Sequence, residues 1–370
     1  MTDLPQFSFK SYCWAIGTTS FRTVDFNVRI ERQIVLLNEF WTMPKNENKK
    51  WSGNKQLQID YYRFMQEKGF VSGDAPRPEK DAREKTSGLV AIGLIDDERR
   101  LTSAGRALLN LTSSGDFSSN NLLQIAADSF VYLKQLLKTS NNVDGDIVRP
   151  YSVLAYALLN LGHLTDDEFT YLLPLCSTLK NTNEVVQAIK DLRNGNGDID
   201  EVIKSRLFAM DNYKSAFDYF LKQHVTESVI TTVGMNRKSG GTGQKAYDKP
   251  YYPFYKTLCK IALKHDGDAV LALYKQSQQI KNKPGTLWRQ YLFNTTAQSK
   301  LKRDGLSALN NVPLLQATSE RKFKKLFFEQ MHLFKAKATL SDYADLNRRY
   351  FKTTDTVIFA DEKVEFDVLP

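Results

Sequence analysis

The chain has 370 residues, of which 42% are hydrophobic and 25% are charged, so it can form two or three domains with substantial cores and is not a disordered protein. No apolar run approaches the roughly 20 residues that cross a bilayer, and the N-terminus lacks the apolar core of a signal peptide. The three cysteines, Cys13, Cys176 and Cys259, do not have the spacing of metal ligands. We therefore expect a cytoplasmic protein with reduced cysteines and no membrane partner.

The positive charge is concentrated in one part of the chain. The net charge is +9, but residues 230–303 alone contain fourteen Lys or Arg and three acidic residues, so the remainder of the chain has a net charge of −2. A block that carries the whole surplus favours a surface that faces a polyanion, whereas the simpler interpretation is a solvated basic face without a partner.

The N-terminal segment combines an aromatic stretch with a polar loop. Residues 9–16 are β-prone, and residues 17–22 read Gly-Thr-Thr-Ser-Phe-Arg. Small hydroxylated residues followed by an arginine suit contacts to phosphates or to a base edge. The candidate DNA-binding residues of this loop are Thr18, Thr19, Ser20 and Arg22. Two helices, expected at residues 25–41 and 57–68, follow the loop.

Residues 77–111 have the order helix, short hairpin, helix. A charged helix is expected to end at Gly93, two short strands flank the polar tip at residues 96–98, and a last helix runs from 104 to 111. This order is typical of a winged helix, whose exposed helix and wing can enter a DNA groove, although a helical domain with an incidental hairpin would look the same. The candidate DNA-binding residues are Arg77, Lys80, Arg83, Lys85, Thr86, Ser87 and Arg99.

The middle of the chain is predicted to be helical. A Ser/Asn/Gly linker at residues 113–121 marks a boundary, and helices are expected at 122–138, 149–161, 165–176, 182–193 and 198–225. Thr165 and Glu168 fit a capping box at the start of the third of these helices. Close helix spacing of this kind is found both in helix-turn-helix units and in plain bundles.

A Gly-rich basic loop at residues 236–249 precedes more helices. It lacks the spacing of a phosphate-binding P-loop, so nucleotide binding is rejected, and a loop that orders on a DNA backbone fits better. Its candidate contacts are Arg237, Lys238 and Lys245. Helices are expected at 250–264 and 266–275, a turn at 283–286 and a strand-like segment at 287–294.

The last fifty residues repeat the order of residues 77–111. Helices are expected at 319–337 and 341–351, and strands at 356–359 and 364–368 pair as a second wing. The second helix carries Arg348, Arg349 and Lys352, which complete the candidate DNA-binding set. The expected fold is mainly α with short β-hairpins, in tandem winged-helix, helix-turn-helix-like subdomains. These are an N-terminal recognition subdomain at 1–115, a helical middle at 116–225 and a basic C-terminal subdomain at 226–370.

No catalytic centre is visible in the sequence. Nuclease chemistry usually needs carboxylates that hold a divalent metal ion, and the nearest group is Asp198, Asp200, Glu201 and Lys204. That group lies at an expected helix start, where acids are favourable for other reasons, and we expect Asp200 and Lys204 to pair four residues apart. We therefore predict no catalytic residue, metal ligand or cofactor site in this chain.

Four segments of the chain resemble a known family. They are YCWAIGTTSFR at 12–22, EKDAREKTSGLVAIGLIDDERRLTSAGRALLN at 79–110, PYSVLAYALLNLGHLTDDEFTYLLPLCSTLKNTNEVVQAIKDLR at 150–193 and NRRYFKTTDTVIFADEKVEFDVLP at 347–370. Their content and order resemble the N-terminal, DNA-recognition half of AlwI-family type IIS restriction endonucleases, a family that includes site-specific nicking endonucleases.

The resemblance implies recognition of an asymmetric site in double-stranded DNA as part of a restriction-modification system. It also implies a separate Mg²⁺-dependent cleavage domain of the PD-(D/E)xK type. Because this chain ends at Pro370, we expect cleavage to belong to a nuclease domain or second subunit outside it. The alternatives are a winged-helix transcription regulator or replication initiator without nuclease activity, and a self-contained nuclease that uses the acidic group at 198–204.

Overall fold

The computed structural model describes residues 4–18, 25–121, 124–235 and 247–367, which are mainly helical with a few short antiparallel strands. The backbone divides into two compact units. Unit 1 comprises Met1–Tyr12 and Gly197–Leu340, and unit 2 comprises Cys13–Asn196 and Ser341–Pro370. The three subdomains expected from the sequence are contiguous along the chain, and that division stays a prediction. None of the described helices is both long and apolar enough to cross a membrane.

Unit 2 is built from helices and two small sheets. Its described helices are α1 (Phe26–Thr42), α2 (Lys55–Glu67), α3 (Pro78–Ala91), α4 (Ser103–Ser114), α5 (Ala127–Lys138), α6 (Pro150–Leu161) and α7 (Leu179–Arg193). Strands β1 (Asn141–Val143) and β2 (Asp146–Val148) form a hairpin. The predicted pairing of the last two strands is confirmed, as β4 (Val357–Ala360) and β5 (Lys363–Phe366). Strand β3 (His163–Thr165) adds to β5, so the sheet order is β3-β5-β4.

Two local predictions in unit 2 are confirmed. Gly93 ends α3 with a φ of 69°, and the amide of Leu94 donates to the carbonyl of Leu89 at 3.0 Å, as in a left-handed C-terminal cap. Thr165 and Glu168 form a reciprocal capping box, with amide-to-side-chain distances of 2.8 and 3.2 Å. The helix expected there is instead a π-helical turn (Glu168–Leu172) followed by a 3₁₀ turn (Leu173–Leu175).

The hairpin predicted after α3 is smaller than expected. A single bridge joins Ile95 and Leu101, and the amide of Asp96 donates to the carbonyl of Arg100 at 2.9 Å. Because the chain reverses within these few residues, with Arg99 at a φ of 61°, no two-stranded ladder forms. We call residues 94–101 the α3–α4 loop. The β-prone segment at 9–16 is likewise not a strand, although the amide of Trp14 donates to the carbonyl of Pro174 at 3.0 Å.

The regular structure of the described part of unit 1 is helical apart from a single bridge between Phe293 and Leu309. Its helices are α8 (Ile199–Phe208), α9 (Asp211–Lys222), α10 (Glu227–Val233), α11 (Tyr251–Lys264), α12 (Val270–Gln279), α13 (Asn282–Leu292), α14 (Gln298–Asp304) and the first part of α15 (Glu320–Lys352). The single helix expected at 198–225 is broken at Met210, whose ψ of 138° is extended. The turn and strand expected at 283–294 were wrong, because Pro284 lies in the first turn of α13, where no amide proton is needed.

Helix α15 is one continuous helix of 33 residues, not the two helices expected. Residues 320–352 contain neither glycine nor proline, so the apparent cap at Ser341 lies inside an uninterrupted helix. In unit 1 the helix packs Phe327 and Phe334 against Trp288, with ring centroids 5.7 and 5.1 Å apart. Its last turns belong to unit 2, where Tyr350 is buried.

A pair of buried carboxyl groups lies in the core of unit 2. Glu31 and Asp128 are 8% and 7% exposed. Burial, together with the neighbouring Asp128, raises the pKa of Glu31 to about 7. The pKa of Asp128 is also raised, chiefly by burial. Glu31 is therefore held protonated in the folded chain at mildly acidic pH.

This protonation predicts pH-dependent stability. A raised folded-state pKa contributes stability that is fully present below the unfolded value near 4.5 and is lost as pH rises toward about 7. We expect the free energy of unfolding to fall by on the order of 2 kcal/mol between about pH 5 and 7.5, and Glu31→Gln to reduce that fall to the part that Asp128 contributes. Urea denaturation at several pH values measures it. The exposed Glu67→Gln serves as the control and should behave as wild type. An unchanged pH dependence in Glu31→Gln would contradict the assignment.

Candidate nucleic-acid interface

Helix α3 carries five of the seventeen predicted DNA-binding residues, more than any other helix, and its sequence explains its start. Pro78 lies in the first turn, and Glu79 and Asp81 place negative charge near the helix N-terminus. Ala82 and Leu89 are buried, so one side of the helix faces the core. Of the predicted residues on this helix, Thr86 is buried on the same side, Lys80 is exposed, and Arg83, Lys85 and Ser87 are partly exposed.

The end of α15 holds residues 16–18, which precede α1 in the chain, beside α3. The backbone of Gly17 and that of Gly88 both lie against the ring of Tyr350, so closely that a Cβ at either position would collide with it. The amide of Ile16 donates to the side-chain oxygen of Asn347 at 2.9 Å. Residues 16 and 17 are therefore held beside α3.

This arrangement joins two separate parts of the predicted set. The hydroxyls of Thr18 and Ser87 are 2.9 Å apart, and because Ser87 donates to the carbonyl of Glu84 at 2.7 Å, Thr18 supplies the proton between them. The rest of the loop's predicted contacts, Thr19, Ser20 and Arg22, lie outside the described residues. The two segments that carry Thr18 and Ser87 are 69 residues apart in sequence and adjacent in space.

Other predicted residues of α3 take part in internal packing. The Arg99 guanidinium donates to the Thr86 hydroxyl at 2.9 Å, and that hydroxyl donates to the carbonyl of Ala82 at 2.9 Å. Thr86 is fully buried, and burial lowers the pKa of Arg99 from its ordinary value. Arg83 donates to the side chain of Gln58 on α2 at 3.0 Å. These contacts tie α3 to α2 and to the α3–α4 loop, so we assign Thr86 and Arg99 to packing.

The exposed cations of α3 have weak partners. Lys80 pairs with Glu84 at 3.2 Å, with both side chains over 40% exposed, and Arg77 approaches Glu79 at 3.4 Å. Such exposed pairs contribute little to stability, about 0–1 kcal/mol. Lys85 is half-exposed on the same helix. Contact with an anion would therefore disturb little of the fold.

Sequence reasoning missed a second group of cations beside the α3–α4 loop. Lys49, Lys50 and Lys55 line a shallow open concavity with Ser52, Gly53 and Asn54. Its position is fixed because the Glu98 carboxylate accepts from the amide of Ser52 at 3.3 Å, and Arg100 donates to the carbonyl of Lys49 at 3.1 Å. Three lysines within seven residues are the signal in the sequence that could have identified this group.

The predicted cations at the end of α15 are mostly engaged within unit 2. Arg348 pairs with Asp166 at 2.8 Å and lies 5.1 Å from the ring centroid of Phe359. Arg349 pairs with Asp345 one turn earlier at 3.1 Å, and Lys352 is exposed. Arg348 thus fixes the sheet onto α15. Arg237, Lys238 and Lys245 of the basic loop lie outside the described residues.

The acidic group at the start of α8 forms ordinary helix contacts. Asp198 accepts from the amide of Asp200 at 3.0 Å, which confirms the expected cap. The expected pair of Asp200 with Lys204 was wrong, since Asp200 pairs with Lys337 and Lys204 pairs with Glu201, each at 2.7 Å. Glu201 and Lys204 also line a half-open cavity of about 410 Å³ in unit 1.

This cavity does not fit a catalytic Mg²⁺ ion. It has a second carboxylate, Glu329, whose pKa is raised chiefly by burial, but that group pairs with Lys325 at 3.8 Å. Hard divalent cations need several converging oxygen ligands. Within residues 4–18, 25–121, 124–235 and 247–367, no three acidic, histidine or cysteine side chains are grouped to hold a metal ion. We therefore assign no metal ligand to this part of the chain.

Comparison with known proteins identifies the class. The AlwI restriction endonuclease family model matches residues 88–370, about three quarters of the chain. The chain belongs to this family, which suggests type II restriction endonuclease function and binding to DNA. No curated protein matches the chain.

The packing role of Thr86 predicts the effect of a nearly isosteric change. Thr86→Val removes the acceptor of the half-buried Arg99 guanidinium, and we expect it to lower the free energy of unfolding by about 1–3 kcal/mol. Ser87→Ala, on the solvent side of the same helix, should cost less than about 0.5 kcal/mol. Urea denaturation measures both. If Thr86→Val is as stable as wild type but has lost specific DNA binding, Thr86 contacts DNA and its assignment to packing is wrong.

Proposed function

We propose that this chain recognises an asymmetric sequence in double-stranded DNA as part of a type IIS restriction or nicking endonuclease. The family match over residues 88–370 is the observation that carries the proposal. It also disfavours a regulator or initiator that binds DNA without an associated nuclease. We propose a cytoplasmic protein of a restriction-modification system.

We propose that α3 and its surroundings are a reading surface, used in the manner of a winged helix. A helix can enter the major groove, and hydroxyl and cationic side chains can contact base edges and phosphates there. Thr18 and Ser87 supply adjacent hydroxyls at one side of α3, while Arg77 and Lys80 supply exposed charge. The α3–α4 loop, held by Arg99 on Thr86, takes the place of the wing.

Binding of the DNA backbone needs further cationic contacts. Unit 2 has two groups of cations, the lysines at 49–55 and the arginines near the end of α15, and they differ in whether they already form ion pairs. Lys49, Lys50 and Lys55 have no carboxylate partner within ion-pair distance in the described residues, so they can bind phosphates without breaking an internal pair. Arg348 and Arg349 would have to leave Asp166 and Asp345. We therefore propose phosphate contacts for the lysines and for exposed Lys352, and a supporting role for the two arginines.

Cleavage in this family is expected to use Mg²⁺. The carboxylates of α8 and α15 that could be considered for it each pair with a lysine, and they do not form a ligand set. We propose that the cleaving centre is supplied by a nuclease domain or second subunit. The residues described here then bind and orient the duplex, and no step of hydrolysis is assigned to them.

A single lysine tests the reading surface against a matched control. Lys80→Ala and Lys68→Ala each remove one charge and one exposed ion pair, since Lys68 pairs with Glu39 at 2.7 Å at the end of α2. Wild type should contact on the order of six phosphates, so its affinity should fall roughly a thousandfold between about 50 and 200 mM salt. Lys80→Ala should reduce the log–log salt slope by about one, and Lys68→Ala should not.

Fluorescence anisotropy with a labelled duplex measures both slopes. A wild-type slope near zero would refute DNA binding by the chain. Equal slopes for the two variants, with a steep wild-type slope, would show that the chain binds DNA through a surface other than α3.

A further inference from the structure

Helix α11 in unit 1 carries a row of lysines on its solvent side. Lys256, Lys260 and Lys264 are four residues apart, and all three are exposed. Side chains at this spacing lie on the same face of a helix, and the row extends about 12 Å along the helix axis. We call these three residues the lysine row.

The opposite face of α11 fixes the direction of the lysine row. Phe254 packs against Trp288 with ring centroids 5.0 Å apart, and Tyr255 packs against Phe327 at 4.9 Å. Tyr251, Leu258 and Ile261 are also buried. Because these large side chains interlock with α13 and α15, α11 cannot rotate without disrupting the core of unit 1.

The row has no compensating negative charge. Helix α11 contains no acidic residue, and within the described ranges no carboxylate lies within ion-pair distance of the three lysines. The charge of Glu320 helps to raise the pKa of Cys259 on the same helix, but Glu320 pairs with Lys324 at 3.5 Å, and Asp266 and Asp268 lie beyond the end of the helix. Like charges four residues apart destabilise a helix. A favourable interaction with the helix C-terminus accounts for Lys264, and Lys256 lies 5.5 Å from the ring centroid of Tyr252, but no ion pair within the described residues accounts for Lys260.

We propose that the lysine row binds consecutive phosphates along one strand of duplex DNA. This inference rests on the proposed function. One strand carries a phosphate about every 3.4 Å of duplex axis, so a row of about 12 Å spans about three to four phosphate steps, and three flexible lysine side chains can each reach a phosphate of that strand. The row also lies inside residues 230–303, which have fourteen basic and three acidic residues.

The row positions the duplex and does not read its sequence. Phosphate contacts carry no direct sequence information, and lysine binds phosphate as a point charge without fixed geometry. The contribution of the row should therefore be the same on specific and random duplexes. It should also be lost at high salt, because each neutralised phosphate releases counterions.

The experiment compares two triple variants of the full chain with equal changes in charge. The first is Lys256→Gln, Lys260→Gln and Lys264→Gln, and glutamine keeps the helix propensity of lysine. The control is Lys214→Gln, Lys222→Gln and Lys322→Gln, which alters exposed lysines on α9 and α15 of unit 1, outside residues 230–303. Far-UV circular dichroism and the thermal midpoint verify that both variants remain folded.

We expect the row variant to bind random and selected duplexes about ten- to a hundredfold more weakly at about 0.1 M salt, with a log–log salt slope smaller by about two to three. The control should stay near the wild-type slope. A steep wild-type slope that the row variant keeps would overturn the inference but leave the proposed function intact. A wild-type slope near zero would overturn both.

Two other outcomes would also overturn the inference. Equal losses in the row variant and the control would mean that total charge matters and the alignment on α11 does not. If the row variant loses affinity for poly-glutamate but keeps its affinity for duplex DNA, the lysines bind an acidic polypeptide instead.

Discussion

The position of the Tyr350 ring is the constraint on which the candidate interface of unit 2 depends. The ring is 1% exposed, and it lies against Phe26 with centroids 4.7 Å apart while Gly17 and Gly88 approach it from the loop and from α3. Any side chain at either glycine would require the ring to move. Because Gly17 and α3 both pack against this ring, Thr18 lies within hydrogen-bond distance of Ser87. Nothing in the sequence of either segment indicates that the two residues are adjacent.

The cationic side chains differ in their interaction partners, and this difference distinguishes those that stabilise the fold from those that are available to bind a ligand. Arg99 and Arg348 are held by Thr86 and Asp166, so their charge is used inside unit 2. Lys80 has only an exposed partner, and the lysine row of unit 1 has no carboxylate within ion-pair distance in the described part of the chain. Partially buried, hydrogen-bonded charges are costly to displace, whereas exposed ones are not. The total charge of a segment therefore says less about its function than the partners of each charge.

Features that depend on neighbouring residues could be predicted from the sequence. The cap at Gly93, the capping box of Thr165 and Glu168, and the pairing of β4 with β5 all rest on interactions within a few residues. Features set by tertiary contacts could not be predicted from the sequence. Thr86 is bound by Arg99, thirteen residues later, and Thr18 lies beside Ser87 because Tyr350 of α15 packs against both Gly17 and Gly88.

Two further differences between the sequence-based predictions and the structure have simple physical causes. The aromatic residues at 287–294 favour a strand by composition, but Trp288 and Tyr291 lie in α13 because Trp288 packs against α15, and only Phe293 forms a bridge, with Leu309. The lysine row is visible in the sequence as three lysines four residues apart. The net charge of residues 230–303 does not reveal it, because a sum contains no information on the positions of the charges.

Selection from random duplexes, followed by incubation with Mg²⁺, tests the central claim most directly. The claim is that this chain reads a DNA sequence and that its described residues do not cut it. A labelled selected duplex, run on native and denaturing gels, should show one enriched asymmetric sequence, a retarded complex and two intact strands. No enrichment would contradict recognition. Strand cleavage that Glu201→Ala abolishes while binding survives would place the nuclease within this chain.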